Sequence, residues 1–219
     1  MTHPRSLIFD HDGTLVDSLD LVVAATNSVL RGIGEAERDR DTIIAGMVVP
    51  TAARFARLIS RPPAEYGELA ARFYAEARRL GSHHVRLYPG IAECVHHLYQ
   101  QGWKLAVLSN NEGALVRQLL GDLALLTPFD PVLGEEDVAQ AKPARDGIDQ
   151  ILQSHGVTPE RAVMIGDSAS DIGAAQAAGI AAIAVGWGAH PLDELRSIGF
   201  KHGVDTAAEL IAVAEQLVP

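Results

Sequence analysis

Residues 6–18 read Ser6-Leu7-Ile8-Phe9-Asp10-His11-Asp12-Gly13-Thr14-Leu15-Val16-Asp17-Ser18. The run 6–9 is short and uncharged, and it stops abruptly at an acid. Such a run, bounded by polar residues and glycine, predicts a buried strand. Asp10 and Asp12 then stand two residues apart at its carboxyl end. Carboxylates this close repel each other, and a divalent cation would relieve the cost. Gly13 permits a tight turn and a close backbone approach.

Working outward, four more runs have the same character: 104–108, a weaker 131–133, 162–165 and 180–185. Helix-period segments lie between them at 91–101, 114–120, 145–155 and 170–178, with Gly156 and Gly179 as stop signals. Strands alternating with helices imply right-handed crossovers and a parallel sheet covered on both faces. The expected class is α/β, with a Rossmann-like parallel sheet core.

One region breaks the alternation. From about Val16 to His84 the sequence offers no convincing strand, only helix-like stretches at 19–31, 51–59 and 65–80. Gly46 and Pro62-Pro63 punctuate them. The expectation is an all-helical insertion, 16–85, in a core made of 1–15 and 86–219. Asp17-Ser18 reads as a cap and hinge where the insertion begins.

The bulk numbers narrow the function. The chain has 219 residues, of which 47% are apolar, enough for a sizeable core. The formal net charge is -10, which argues against nucleic acid or an anionic membrane as partner. Cys94 is the single cysteine, so an internal disulfide is impossible. It sits among apolar residues and reads as core. No apolar run reaches the ~20 residues of a membrane span, and 1–5 shows no signal-peptide pattern. The expectation is a soluble cytoplasmic protein; monomer or homodimer is left open.

Ligands of an open parallel sheet bind outside the carboxyl ends of its strands. The residues found there are therefore taken together. Asp10, Asp12, Gly13 and Thr14 follow the first strand. Ser109 and Asn110 follow the second, a hydroxyl and an amide able to hold phosphate oxygens. Lys142-Pro143 comes after the third, and Gly166, Asp167, Ser168 and Asp171 after the fourth. Lys142 among four aspartates is an anion clamp. Hard oxygen donors select magnesium, which often binds substrate phosphate as well. No zinc pattern is present: the nine histidines contain no His-Glu-x-x-His.

These segments resemble, in order, the four motifs of haloacid dehalogenase-like phosphatases. Residues 7–18 resemble the first, Ser109 the second, Lys142-Pro143 the third, and Gly166-Asp167-Ser168-Ala169-Ser170-Asp171 the fourth. Residues 172–179 are similar to the usual continuation, and the insertion looks like a C1-type helical cap. The nearest branch by this resemblance is that of the phosphoglycolate phosphatases. His11 departs from the pattern, where an apolar residue is commoner.

The resemblance implies a covalent mechanism. Asp10 would be the nucleophile that forms an aspartyl-phosphate, and Asp12 the acid and then the base. Magnesium would be held by Asp10, the Asp12 carbonyl and Asp167. Asp171 would support it through water or orient Lys142. Ser109, Asn110, Gly13, Thr14 and Lys142 would hold the phosphoryl group. The implied partner is a small phosphate ester.

Other readings stay open at this level. A phosphosugar mutase of the same fold needs the same two aspartates. A signalling receiver also gathers aspartates, a hydroxyl and a lysine, but needs neither Asp12 nor the insertion. A dehalogenase lacks an acid at the position of Asp12. Elsewhere the plain readings lead: Arg54 and Arg57 as solvated surface, Trp103 and Trp187 as packing, His83-His84 and His96-His97 as solvated or packed.

Overall fold

The computed structural model describes residues 4–218, apart from the side chain of Val48. The chain divides into two compact units, one running to Asp17 and resuming at Arg86, the other Ser18–Val85.

The first unit is α/β. Among the described residues its six-stranded sheet has the order β5-β4-β1-β6-β7-β8. The strands are β1 (Ser6–Phe9), β4 (Lys104–Leu108), β5 (Phe129–Leu133), β6 (Ala162–Gly166), β7 (Ala181–Val185) and β8 (His202–Val204), all paired in parallel. Two short strands, β2 (Val16–Asp17) and β3 (Arg86–Leu87), pair antiparallel where the chain leaves and re-enters this unit. The helices are α5 (Ile91–Gln100), α6 (Gly113–Asp122), α7 (Asp146–His155), α8 (Ala169–Ala178), α9 (Leu192–Arg196) and α10 (Ala207–Leu217).

β1 lies at the centre, with β4 on one side and β6 on the other. Its side chains alternate between faces. Ile8 joins Ala106 and Met164 under α7 and α8, with Ile148, Ile151, Ala174 and Ala175. Leu7, Ile8 and Phe9 are fully buried, each worth roughly 1.5–3 kcal/mol of transfer free energy. Ser6 is buried too, and its hydroxyl meets His155 Nδ1 at 2.8 Å. His155 Nε2 donates to the Asp130 carbonyl at 2.6 Å, so Nδ1 accepts from Ser6. One histidine thus ties α7 to β1 and to β5 at the amino ends of the strands.

The expected stops hold: Gly156 and Gly179 are left-handed C-caps of α7 and α8. Three expectations need correction. Val16–Asp17 is a strand, because it pairs with Arg86–Leu87 and so belongs to the sheet unit. β5 starts two residues earlier than expected, at Phe129, whose ring packs edge-on against Phe9 at 5.8 Å. A sixth strand, β8, was not foreseen.

The second unit holds α1 (Leu19–Gly32), α2 (Arg40–Ala45), α3 (Thr51–Leu58) and α4 (Tyr66–Leu80). α1 and α3 both pack on α4. Ser28 on α1 donates to Glu76 Oε2 on α4 at 2.8 Å. Arg54 is not the solvated residue expected. It is only 4% exposed, because its guanidinium stacks 4.5 Å from the Phe73 ring centre. Cys94 is core as expected, and burial pushes its thiol up to about 12. Among the described residues no helix is long and apolar enough to cross a membrane.

Candidate active site

The site forms where β1, β4 and β6 end side by side. The Asp10 amide donates to the Ile165 carbonyl at 2.8 Å, so the sheet ladder runs up to the first acid. The chain then turns tightly: the amides of Leu15 and Val16 both donate to the His11 carbonyl, at 3.0 and 3.1 Å. Gly13 has φ +79°, and a Cβ there would fall 2.1 Å from Asp167 Oδ2. Glycine is required on both counts.

Asp167 is gripped from two sides. The Ala189 amide donates to Oδ2 at 2.7 Å, and the Thr14 hydroxyl lies 3.4 Å from Oδ1. A Cβ at Gly188 would meet Asp167 Cβ at 2.3 Å, so the loop after β7 lies flat against this carboxylate. Trp187 anchors that loop, its indole N–H donating to the Thr14 carbonyl at 3.0 Å. Burial and the neighbouring Asp171 raise the Asp167 carboxyl to about 6.

Lys142 is almost wholly buried and donates to three acceptors. These are Asp10 Oδ1 at 2.8 Å, the Leu108 carbonyl at 2.7 Å and Asp171 Oδ1 at 2.6 Å. Burial alone would discharge the lysine, but Asp10 and Asp171 more than reverse that, and its pKa is raised. Asp10 is raised well above its ordinary value, by burial first and by Asp171 next, with Lys142 opposing. One ammonium does not offset three buried acids.

Oxygens of Asp10, Asp167 and Asp171 lie within 4.8 Å of one another. A buried, all-oxygen, over-acidic cluster fits a hard divalent cation, which would lower the proton affinity of each carboxyl. Both oxygens of Asp171 already have protein donors, however. Oδ1 takes Lys142, and Oδ2 takes the Ser168 amide at 3.0 Å and its hydroxyl at 2.6 Å. Asp167 Oδ1 has only the Thr14 hydroxyl, at 3.4 Å, so Asp10 and Asp167 are the carboxylates more open to a cation.

Ser109 is buried at the end of β4, next to the Leu108 carbonyl that holds Lys142. The Asn110 side chain is committed elsewhere than to an anion. Its Nδ2 donates to the Lys142 carbonyl and its Oδ1 accepts from the Lys142 amide, both at 2.8 Å. It fixes the lysine's backbone. Asn111, which the sequence reading passed over, donates from Nδ2 to Asp12 Oδ2 at 3.1 Å. His11 is fully buried, with Nδ1 3.2 Å from the same oxygen but too poorly aligned for a hydrogen bond. Of the loop 186–189 only Trp187 was expected, as packing; the signal for the rest is the pair of glycines around it at a strand's carboxyl end.

With this geometry in place, the likeness to known proteins is specific. The family model for haloacid dehalogenase-like hydrolases matches residues 7–185, which takes in every site residue except Gly188 and Ala189 of the β7 loop and its Trp187 anchor. The chain belongs to that hydrolase family. A Dickeya dadantii protein named "Probable phosphatase IndB" is 33% identical over 216 residues, covering 97% of this chain and 94% of that one. The phosphoglycolate phosphatase of Aliivibrio fischeri is 30% identical over 192 residues, 84% of this chain and 85% of the other. A haloacid dehalogenase-like hydrolase of Streptococcus pneumoniae superposes with a TM-score of 0.84 at 26% identity, covering 97% and 99% of the two chains.

Proposed function

We propose that this protein is a magnesium-dependent phosphatase that hydrolyses a small phosphate monoester through an aspartyl-phosphate on Asp10. The observation that carries the proposal is the position of the Asp10 carboxylate. It stands at the central strand end, 2.8 Å from the Lys142 ammonium and within the oxygen cluster it shares with Asp167 and Asp171.

A carboxylate oxygen of Asp10 attacks phosphorus as the bond to the leaving oxygen breaks. Asp12 delivers its proton to that leaving oxygen. Water then attacks the phosphorus of the aspartyl-phosphate, Asp12 takes the water's proton, and the Asp10 carboxylate is released with inorganic phosphate. Ser109 and Lys142 hold phosphoryl oxygens, Lys142 by redirecting the N–H it otherwise gives to Asp10, while Asp171 and Asn110 keep Lys142 in place. Asp10, Asp167 and the Asp12 carbonyl would hold magnesium, which would supply positive charge against the phosphoryl oxygens. Such monoesters react so slowly unaided that accelerations reach roughly 10²¹-fold, so positioning and charge together must contribute heavily.

Phosphoglycolate is the first candidate substrate, supported by the relatives that carry that name. The helical unit 18–85 is assigned the role of substrate-selecting cap. The test is phosphate release by the purified protein with magnesium from a panel of small esters that includes phosphoglycolate and hexose phosphates. Release that stops on chelation and returns on adding magnesium is expected. No release from any ester would overturn the proposal.

A further inference from the structure

We infer that Asn111 is a positioning residue for Asp12, holding its carboxylate in the orientation that proton transfer needs. The inference rests on the acid–base role proposed for Asp12 and extends it to a residue outside the motif.

Asn111 has little freedom. Its backbone amide donates to Ser109 Oγ at 3.1 Å, and its carbonyl accepts from the Glu135 amide at 3.0 Å. Its side-chain Oδ1 accepts from the Glu112 amide at 3.1 Å. That last bond decides which way the amide faces. A flipped amide would set N–H against N–H at Glu112 and oxygen against carboxylate at Asp12. Nδ2 is therefore the atom that meets Asp12 Oδ2, at 3.1 Å. The His11 ring stands against the same oxygen.

The consequence is chemical. A donated N–H holds the plane of the carboxylate that receives it. Oδ2 is thereby an anchored atom of the acid. A general acid must present its proton within hydrogen-bond reach of the leaving oxygen, so a carboxyl free to rotate spends much of its time misdirected. The anchor reaches Asp12 from the loop after β4, which also carries Ser109. The acid and the phosphoryl-binding hydroxyl are thereby set by one short segment.

The experiment compares two esters in four proteins. 2-Phosphoglycolate has an alkoxide leaving group that needs a proton; p-nitrophenyl phosphate has a leaving group that needs little help. The proteins are wild type, Asp12→Asn, Asn111→Ala and Asn111→Asp. Asn111→Asp keeps an oxygen for the Glu112 amide, and so keeps the loop, but removes the donor to Asp12. Asp12→Asn is expected to lose far more kcat on 2-phosphoglycolate than on the aryl ester. Both Asn111 variants should follow that pattern in weaker form. About a 10- to 100-fold loss on 2-phosphoglycolate is expected, with a few-fold loss on p-nitrophenyl phosphate and little change in KM. If Asp12→Asn shows the split and Asn111→Asp, unchanged in thermal unfolding, loses both esters equally, the inference is overturned and the acid stands. If Asp12→Asn itself falls equally on both esters, the acid role fails and the inference with it.

Discussion

Lys142 and Asp171 form an ion pair sealed from solvent on both sides: Nζ donates to Oδ1 at 2.6 Å and each side chain is 1% exposed. Together with Asp10 this pair sets the electrostatics of the site. Breaking a buried pair by removing one partner leaves the other charge uncompensated. Lys142→Met is expected to lower unfolding stability by about 3–5 kcal/mol near neutral pH without metal, and to abolish turnover. Urea unfolding measures the first; a loss below about 1 kcal/mol would show that the acids simply take up protons instead.

Magnesium should bind the native state and not the unfolded chain. It is then expected to raise the melting temperature, with a stabilisation of about 2.7 kcal/mol at a hundred times its dissociation constant. Asp167→Asn should lose most of that shift, because Asp167 and Asp10 are the better-placed carboxylates. Thermal unfolding across a magnesium titration checks it, and an equal shift in both proteins would remove Asp167 from the metal site.

Gly188→Ala tests the loop laid against Asp167. The added Cβ would come 2.3 Å from Asp167 Cβ and 2.5 Å from the Gly13 carbonyl, both parts of the site rather than flexible side-chain ends. One or both must move. Magnesium affinity, measured by calorimetry, is expected to fall at least about 10-fold, or ~1.4 kcal/mol. An unchanged affinity would mean that the loop yields and Asp167 does not.

His155 predicts a pH effect at the opposite end of the sheet. Burial, with the nearby Lys104 adding to it, holds its pKa below the ordinary 6.5, against the Asp130 carbonyl that pulls the other way. The native state therefore binds fewer protons than the unfolded chain below that pH. Stability falls as pH drops through about 6.5 toward the depressed native value, by at most ~1.4 kcal/mol per pH unit. Raised carboxyls such as Asp167 slope the opposite way over part of this range. The informative quantity is the difference between wild type and His155→Gln, measured by urea unfolding at pH 7.5 and 5.5. The difference should shrink on acidification; a constant difference would refute the assignment.

Much of this was legible in the sequence because buried parallel strands declare themselves as short uncharged runs, and site residues cluster at their ends. Residues 6–9, 104–108 and 162–165 read clearly, with Asp10, Ser109 and Asp167 directly after them, while Lys142 follows the weaker run 131–133. What escaped did so for physical reasons. β8 is three residues long and contains histidine and glycine, and β2 and β3 have two residues each, too short for any period to register. Asn110 and Asn111 are chemically identical neighbours, and only the backbone path decides which faces Lys142 and which faces Asp12. Asp171 was expected either to support the metal through water or to orient Lys142; its hydrogen bonds run to Lys142 and Ser168, and one of its oxygens lies in the acidic cluster. Arg54 was read as surface because nothing local reveals that Phe73, on another helix, lies beneath it.

The central claim is covalent catalysis by Asp10. An acyl phosphate is open to reduction by borohydride, which converts the modified aspartate to homoserine. The protein would be quenched with borodeuteride during turnover of 2-phosphoglycolate with magnesium and then mapped by peptide mass spectrometry. The account predicts deuterated homoserine at residue 10, absent without substrate and absent in Asp10→Asn. Full turnover with no label at residue 10, or with label at another aspartate, would contradict it.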